Sequence, residues 1–475
     1  MPAALVRRSL FLASVILMVT LAGCTTYSAK LKNLKPQLST GDYELALKTV
    51  EDETGSKDVL LAFLERGVIL HYAGRWAESN AAFAAAEQTA RELYSRSISE
   101  GALSLISNDN AISYRARPYE MAMVPYFQAL NYLQLGMRDD ALVEARKTSL
   151  MLSDYIDATV SGIERTDTSD LERTKNDPFM LYFSGMLYDW DGEINNAFIA
   201  YRNAAMAYQD LRRLLGVQIP PSLAKDLRRT GSRLGFDTEV AHLKKVCPDV
   251  FAASDDGPVG WPADQGEVVL LLELGYVPAK NEVKINVPIF ESDAYNDNAY
   301  WAWELTARAG NTYSVWEGYK IKYWLTVALP EMEAASSPVR RVRVNAGGQT
   351  LAATKVHNPA ANAQITFEAE YGTILFKTIL RGLTKYLASS EAGKKNEVAG
   401  IIANLFGAVT ETADTRAWLT LPENVYLVRV NLPAGVHSLE VDLADGAGRS
   451  LGRVTIPEVA VRRGDWTFVS HRVFP

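Results

Sequence analysis

Residues 177–210 read DPFMLYFSGMLYDWDGEINNAFIAYRNAAMAYQD, and this stretch decides how the first half of the chain folds. Leu181, Gly185 and Tyr188 are spaced four and three apart, so they share one face of a helix. Gly192 breaks that helix, and Ala197, Tyr201 and Ala204 repeat the pattern on a second one. Two antiparallel helices joined by a glycine turn, with small residues opposed to bulky ones, make the unit of a helical repeat. Such arrays bind other polypeptides on their inner face.

Upstream stretches repeat the pattern. Gly41-Asp42-Tyr43 is followed by Ala46 and Val50. Phe63, Gly67 and Leu70 precede the turn Gly74-Arg75-Trp76, and Ser79, Phe83 and Ala86 follow it. Tyr126, Ala129 and Tyr132 lead to Gly136, then Ala141 and Ala145, with Pro125 expected in the first turn of its helix. These units resemble the tetratricopeptide repeat. Gly41 and Gly74 stand close to its period of about 34 residues. The later intervals are longer, which predicts inserts over 94–120 and 156–176. The resulting expectation is an N-terminal tetratricopeptide-like α-solenoid over 24–247. Its inner face carries Tyr126, Phe127 and Leu130 in one unit and Tyr182, Phe183 and Met186 in the next, the expected partner-binding residues. Bare apolar side chains there are costly. Either the face is a groove for a partner helix or peptide, or the inserts fold into it as core.

The first residues carry a separate message. Arg7 and Arg8, an apolar run over Leu10–Thr20 and small residues after it form a signal peptide, too short to span a bilayer permanently. Leu21-Ala22-Gly23-Cys24 resembles the lipobox of bacterial lipoproteins. The resemblance implies cleavage after residue 23, a diacylglycerol on the Cys24 thiol and an acylated new amine, palmitate being a typical chain. Several chains anchor stably where one does not. Thr25 in place of an aspartate implies sorting to the outer membrane, facing the periplasm. Cys247 is then the remaining thiol, so no internal disulfide forms. His242, Lys244 and Lys245 are near it in sequence, but a structural cysteine at a helix end is the simpler reading.

At 475 residues the chain has room for two or three domains. Its 49 basic and 56 acidic side chains give no basic face for nucleic acid. The Pro/Gly/Asp-rich segment 248–266 is the expected linker. Beyond it the pattern turns to strands, and residues 267–475 are expected to form a mainly antiparallel β domain. Residues 267–274 are a continuous apolar run suited to a buried strand, and Val283, Ile285 and Val287 alternate. Further strands are expected at 320–329, 339–344, 350–356, 417–421, 425–432, 437–443, 454–461 and 466–473, with Asn345-Ala346-Gly347-Gly348 as a hairpin turn. An inserted helical pair is expected near 369–409. Its first helix bears Lys377, Arg381 and Lys385 at steps of four, read as a solvated face.

Chemistry is harder to find. His71, His242, His357, His437 and His471 show no metal-ligand spacing, and neither a nucleophile elbow nor a phosphate loop is present. The expectation is therefore no enzyme, no metal and no cofactor beyond the lipid at Cys24. Tyr295, Tyr300, Trp301, Trp303, Tyr313, Trp316 and Trp324 suit either sugar stacking or core. The lipobox, the unit from Ala129-Leu130-Asn131-Tyr132-Leu133 to Ala145-Arg146-Lys147, and Ala413-Asp414-Thr415-Arg416-Ala417-Trp418-Leu419-Thr420-Leu421-Pro422 together resemble an uncharacterised family of bacterial lipoproteins with tetratricopeptide-like repeats. Some members are encoded beside lipoproteins that activate penicillin-binding proteins, which implies a role in cell-wall assembly. The chain reads as an α+β, membrane-anchored periplasmic scaffold that binds protein partners in the cell envelope. The alternative is a cell-wall glycan-binding module or enzyme in the C-terminal half.

Overall fold

The computed structural model describes residues 26–95, 110, 112–163, 166–254, 264–290, 321–334, 337–395 and 412–474. The fold is α+β with largely antiparallel sheets. Helices α1 (Tyr27–Lys30), α2 (Leu34–Ser39) and α3 (Tyr43–Glu53) lead into three long hairpins. These are α4 (Val59–Tyr72) with α5 (Trp76–Ser95), α6 (Pro118–Leu135) with α7 (Arg138–Val160), and α9 (Pro178–Asp191) with α10 (Ile194–Leu215). The short α8 (Ser169–Arg173) precedes the third hairpin. Each hairpin packs on the next, α5 on α6 and α7 on α9. Helices α11 (Ser222–Leu234), α12 (Asp237–Val246) and α13 (Pro248–Ala252) close the series.

The turn glycines explain the hairpins. Gly136 and Gly192 end their helices at φ 71° and 86°, a left-handed conformation that costs other residues energy. Small residues then let the paired helices touch. A Cβ on Gly67 would lie 2.5 Å from the Phe83 ring, and one on Gly185 would lie 2.6 Å from that of Tyr201. One expectation fails. Pro125 is inside α6, not in its first turn, because Pro118 begins the helix and Glu120 reaches back to accept the Arg117 backbone N–H at 2.7 Å.

Among the described residues the strands form two four-stranded sheets and one two-stranded sheet. The inner sheet has the order β10 (Trp466–Val473), β1 (Gln265–Leu274), β7 (Asn424–Pro433), β6 (Thr354–His357). The outer sheet has the order β5 (Gln349–Ala352), β4 (Arg341–Ala346), β8 (Gly435–Ala444), β9 (Ser450–Val461). β2 (Lys280–Phe290) pairs with β3 (Ile321–Met332). The β1–β10 pair is parallel, the exception to the antiparallel expectation. Expected strand 350–356 is divided between β5 and β6, which lie in different sheets. Expected strand 417–421 joins no ladder and threads among the helices. The first inserted helix, α14 (Pro359–Lys395), starts earlier than expected because Asn358 caps it, accepting the Ala361 N–H at 3.1 Å. Residues 396–409, the expected second helix, lie outside the described residues. Arg381 is buried and bonds Thr378, so this member of the expected cationic face is not solvated, and the Lys385 side chain lies outside the described residues.

These elements stack as three layers. Val268, Leu270, Leu272 and Leu274 of β1 pack with Val344, Val441 and Ile456 of the outer sheet. The opposite face of β1, with Val269 and Leu271, belongs to one core with Leu64, Phe127, Tyr182, Tyr201 and Phe251 of the helices. β1 is thus covered on both sides, as its continuous apolar run predicted. The change in character at 248–266 marks where helices give way to strands. The core runs across it, however, and Val250 and Phe251 of the expected linker are part of that core.

Candidate functional site

The six expected groove residues are not at a surface. Tyr126, Phe127, Leu130, Tyr182 and Met186 are 0% exposed and Phe183 is 1% exposed, so none can meet a partner without unfolding. The correction has a physical cause: the second half of the chain occupies the inner face. Tyr126 donates its hydroxyl to Glu273 of β1 at 2.8 Å, and Tyr72 donates to the other carboxylate oxygen at 2.6 Å. Burial, with Glu273 beside them, pushes both phenol pKa values well up. Tyr182 donates to Asp226 at 2.8 Å and accepts from Arg429 of β7 at 2.8 Å. Arg429 also bonds Glu267 at 2.6 Å and contacts Asp226, while its guanidinium sits 4.5 Å above the Trp466 ring.

The segment 412–421 also occupies this face. Trp418 is 0% exposed, its ring 6.0 Å from Phe83 and 6.1 Å from Phe127. Two carboxylates on the helices take the place of a strand partner. Glu120 accepts the Trp418 N–H at 2.8 Å, and Glu65 accepts the Leu419 N–H at 2.7 Å together with the Thr420 hydroxyl. Arg416 fixes one end, donating to Asp58 at 3.3 Å and to the Ile112 carbonyl at 3.0 Å. Burial raises the Glu65 pKa to about 7, the bonds from Thr420 and Leu419 pulling it back only in part. Sequence reasoning missed Glu65 and Glu120. The available signal was a lone carboxylate on an otherwise apolar helix face in each case.

A cleft of about 490 Å³ opens where the helices meet the edges of both sheets. Tyr43, His71, Tyr72, Trp76 and Gln134 line it from the helices, and Glu458 and residues 467–472 line it from β9 and β10. Tyr43 and Trp76 are half-buried at its rim. Glu458 has φ 57°, the one positive value at a non-glycine residue among those described. It lies where the β8–β9 register slips, a bulge that bends β9. His71 is buried, its Nδ1 2.6 Å from the Asn131 side-chain oxygen, and burial lowers the pKa of both His71 and His471. At the floor, Arg472 is stacked against the rings of Tyr72, Tyr276 and Phe474 at 5.5, 4.8 and 5.3 Å.

Other expected sites resolve less. Cys24 and the aromatic residues Tyr295, Tyr300, Trp301, Trp303, Tyr313 and Trp316 lie outside the described residues, as does the Trp324 side chain. Cys247 is 2% exposed and burial raises its thiol pKa, the opposite of activation. Among the described residues no cluster of three or more His, Cys, Asp or Glu could hold a metal, and no helix is long and apolar enough to cross a membrane. The buried His357 and Asp177 lie 3.3 Å apart, and Asp177 also caps α9 by accepting the Phe179 N–H at 3.0 Å. No family model, curated protein or solved structure matches the chain.

Proposed function

We propose that this chain is a lipid-anchored scaffold of the bacterial outer membrane that faces the periplasm and holds a protein partner without catalysing a reaction. In this reading the stacked hairpins are a tetratricopeptide-like solenoid whose groove has become an internal frame, and the partner binds in the cleft at the strand edges. One observation carries it: residues 412–421 already fill the inner face of the helices, so a partner has to use a concavity elsewhere, and the cleft is one that helices and strands build jointly. The likeness of the leader and of residues 413–422 to envelope lipoproteins supports a role in cell-envelope or cell-wall assembly. A lipid on Cys24 would hold the body close to the bilayer, because Tyr27, three residues on, is already buried.

The experiment has two arms. Labelled palmitate should enter the wild type and not Cys24→Ala, and the variant should leave the membrane fraction. Capture from detergent-solubilised envelopes should lose its partner when Tyr43 and Trp76 are both changed to Ala. An unchanged partner set in that variant would refute the cleft. A second reading has its own observation, since Tyr43, Trp76 and Glu458 together offer the rings and carboxylate that bind sugars. It requires that the purified protein sediment with insoluble peptidoglycan and that the same double variant stay in solution.

A further inference from the structure

We propose that the corner between β9 and β10 accepts an extended polypeptide segment that adds as a strand to the free edge of β10 and presents a carboxylate to Arg472. The proposal rests on the reading of the cleft as the partner site and gives that partner a conformation and a charge.

The backbone supplies the first argument. Among the described residues β10 is the outermost strand of the inner sheet, with β1 on one side only. Glu267 donates its N–H to the Asp465 carbonyl at 3.0 Å. In a parallel ladder both backbone groups of a residue turn toward the same neighbour, and the next residue turns its own the other way. Odd-numbered residues from Asp465 onward therefore face β1, while Phe468, Ser470 and Arg472 direct N–H and C=O outward. Two contacts agree with this parity. The Gln134 side-chain amide donates to the Phe468 carbonyl at 3.4 Å, and Asp465 caps the Trp466 N–H at 2.8 Å. Side chains thus stand in for a strand partner at the Phe468 carbonyl and the Trp466 N–H. β9 is the outermost strand of the other sheet, and its bulge at Glu458 bends it beside this edge. An unpaired edge of this kind is a template for another strand.

Charge supplies the second argument. Arg472 is 8% exposed and lines the cleft, and its Nη2 donates to the Gly275 carbonyl. Its Nε and Nη1 are buried with no hydrogen-bond partner. Buried guanidinium donors are costly to leave unpaired, and a carboxylate is their natural complement. The nearby carboxylate of Glu273 is already taken by two tyrosine hydroxyls. Burial disfavours the charged forms of His71 and His471, so Arg472 is the cation at the floor, with exposed Glu458 at the mouth.

The test uses the purified mature protein and a fluorescent peptide copying residues 266–274 of β1, followed by two lysines for solubility. That sequence is one β10 already pairs with on its other edge, and it places a glutamate opposite Arg472. Expected are saturable binding, hydrogen-exchange protection of the Phe468, Ser470 and Arg472 amides, and no binding of a scrambled peptide. Ser470→Pro removes one outward donor and leaves the β1 ladder intact, so it should weaken binding at least tenfold while the melting curve stays in place. Gln in place of the peptide's second glutamate, or Arg472→Lys, should weaken binding about tenfold. Absence of binding, binding indifferent to Ser470→Pro, or protection of these amides by a peptidoglycan tetrasaccharide and not by peptide would each overturn strand addition. Envelope partners that are lost with Tyr43 and Trp76 yet kept in Ser470→Pro would leave the scaffold standing and remove only its strand-pairing mode.

Discussion

Glu65 accepts the backbone N–H of Leu419 at 2.7 Å, joining the first long helix to a segment 354 residues further along the chain. The carboxylate is 0% exposed, and with the Thr420 hydroxyl it replaces the ladder that segment lacks. This contact makes stability depend on pH. The folded Glu65 pKa of about 7 lies above its ordinary 4.5, so the folded state binds the extra proton between those values and stability falls as pH rises through the window. The shift is worth about 3 kcal/mol. His71 and His471, whose pKa values burial lowers, push stability the other way over the same range, so the readout is the difference between two proteins: the urea midpoint of the wild type relative to that of Glu65→Gln should decline from pH 5 to pH 8. A difference that stays constant or grows with pH would count against the assignment.

Trp418 packs against Phe83 and Phe127 where a peptide ligand of the helices would otherwise lie. Trp418→Ala leaves a cavity at the centre of the shared core and should cost about 3–5 kcal/mol. Urea denaturation read by circular dichroism measures it. A loss below about 1 kcal/mol would mean the segment is not held as described.

Much of this was legible. Gly136, Gly192 and the small-against-large spacing around Gly67 and Gly185 named the hairpins, because turn chemistry and helix period are local properties. The apolar run of β1 named a strand covered on both faces. Residues 417–421 misled, since Ala417, Leu419 and Leu421 alternate as any extended segment does, whether its N–H groups meet a strand or a glutamate. The inner face with Tyr126 and Tyr182 was identified correctly as apolar, but what covers it comes from the far half of the chain. Local spacing carries no information about that. The cleft was missed for the same reason: His71, Glu458 and Arg472 meet only through the topology.

Gly67 gives a test of the hairpin geometry. A Cβ there would lie 2.5 Å from the Phe83 ring, which is itself stacked 5.8 Å from Phe127 and cannot shift freely. Gly67→Ala should therefore destabilise by about 1–3 kcal/mol despite the better helix propensity of alanine. Adding Phe83→Leu should recover part of that loss relative to Phe83→Leu alone. A double-mutant cycle by thermal melting reads the coupling, and additive effects would show the two residues do not touch.

The shared core makes the two halves one folding unit. Val269 and Leu271 of β1 and Trp418 cover the same helix faces that carry Phe127, Tyr182 and Tyr201. Removing residues 264–474 would uncover those rings and leave Glu65 and Glu120 facing water without their backbone partners. The fragment 26–254 should therefore keep helical circular dichroism, bind a hydrophobic dye and show no cooperative melt. In the intact chain, tryptophan fluorescence and far-ultraviolet dichroism should trace one coincident urea transition. Co-expression of 26–254 with 264–474 should restore cooperativity, since the break falls between 254 and 264 and cuts none of the contacts named above. Two separated transitions in the intact protein, or a cooperative melt of 26–254 alone, would show that the helices stand without the strands. The inner face would then be able to open to a partner after all.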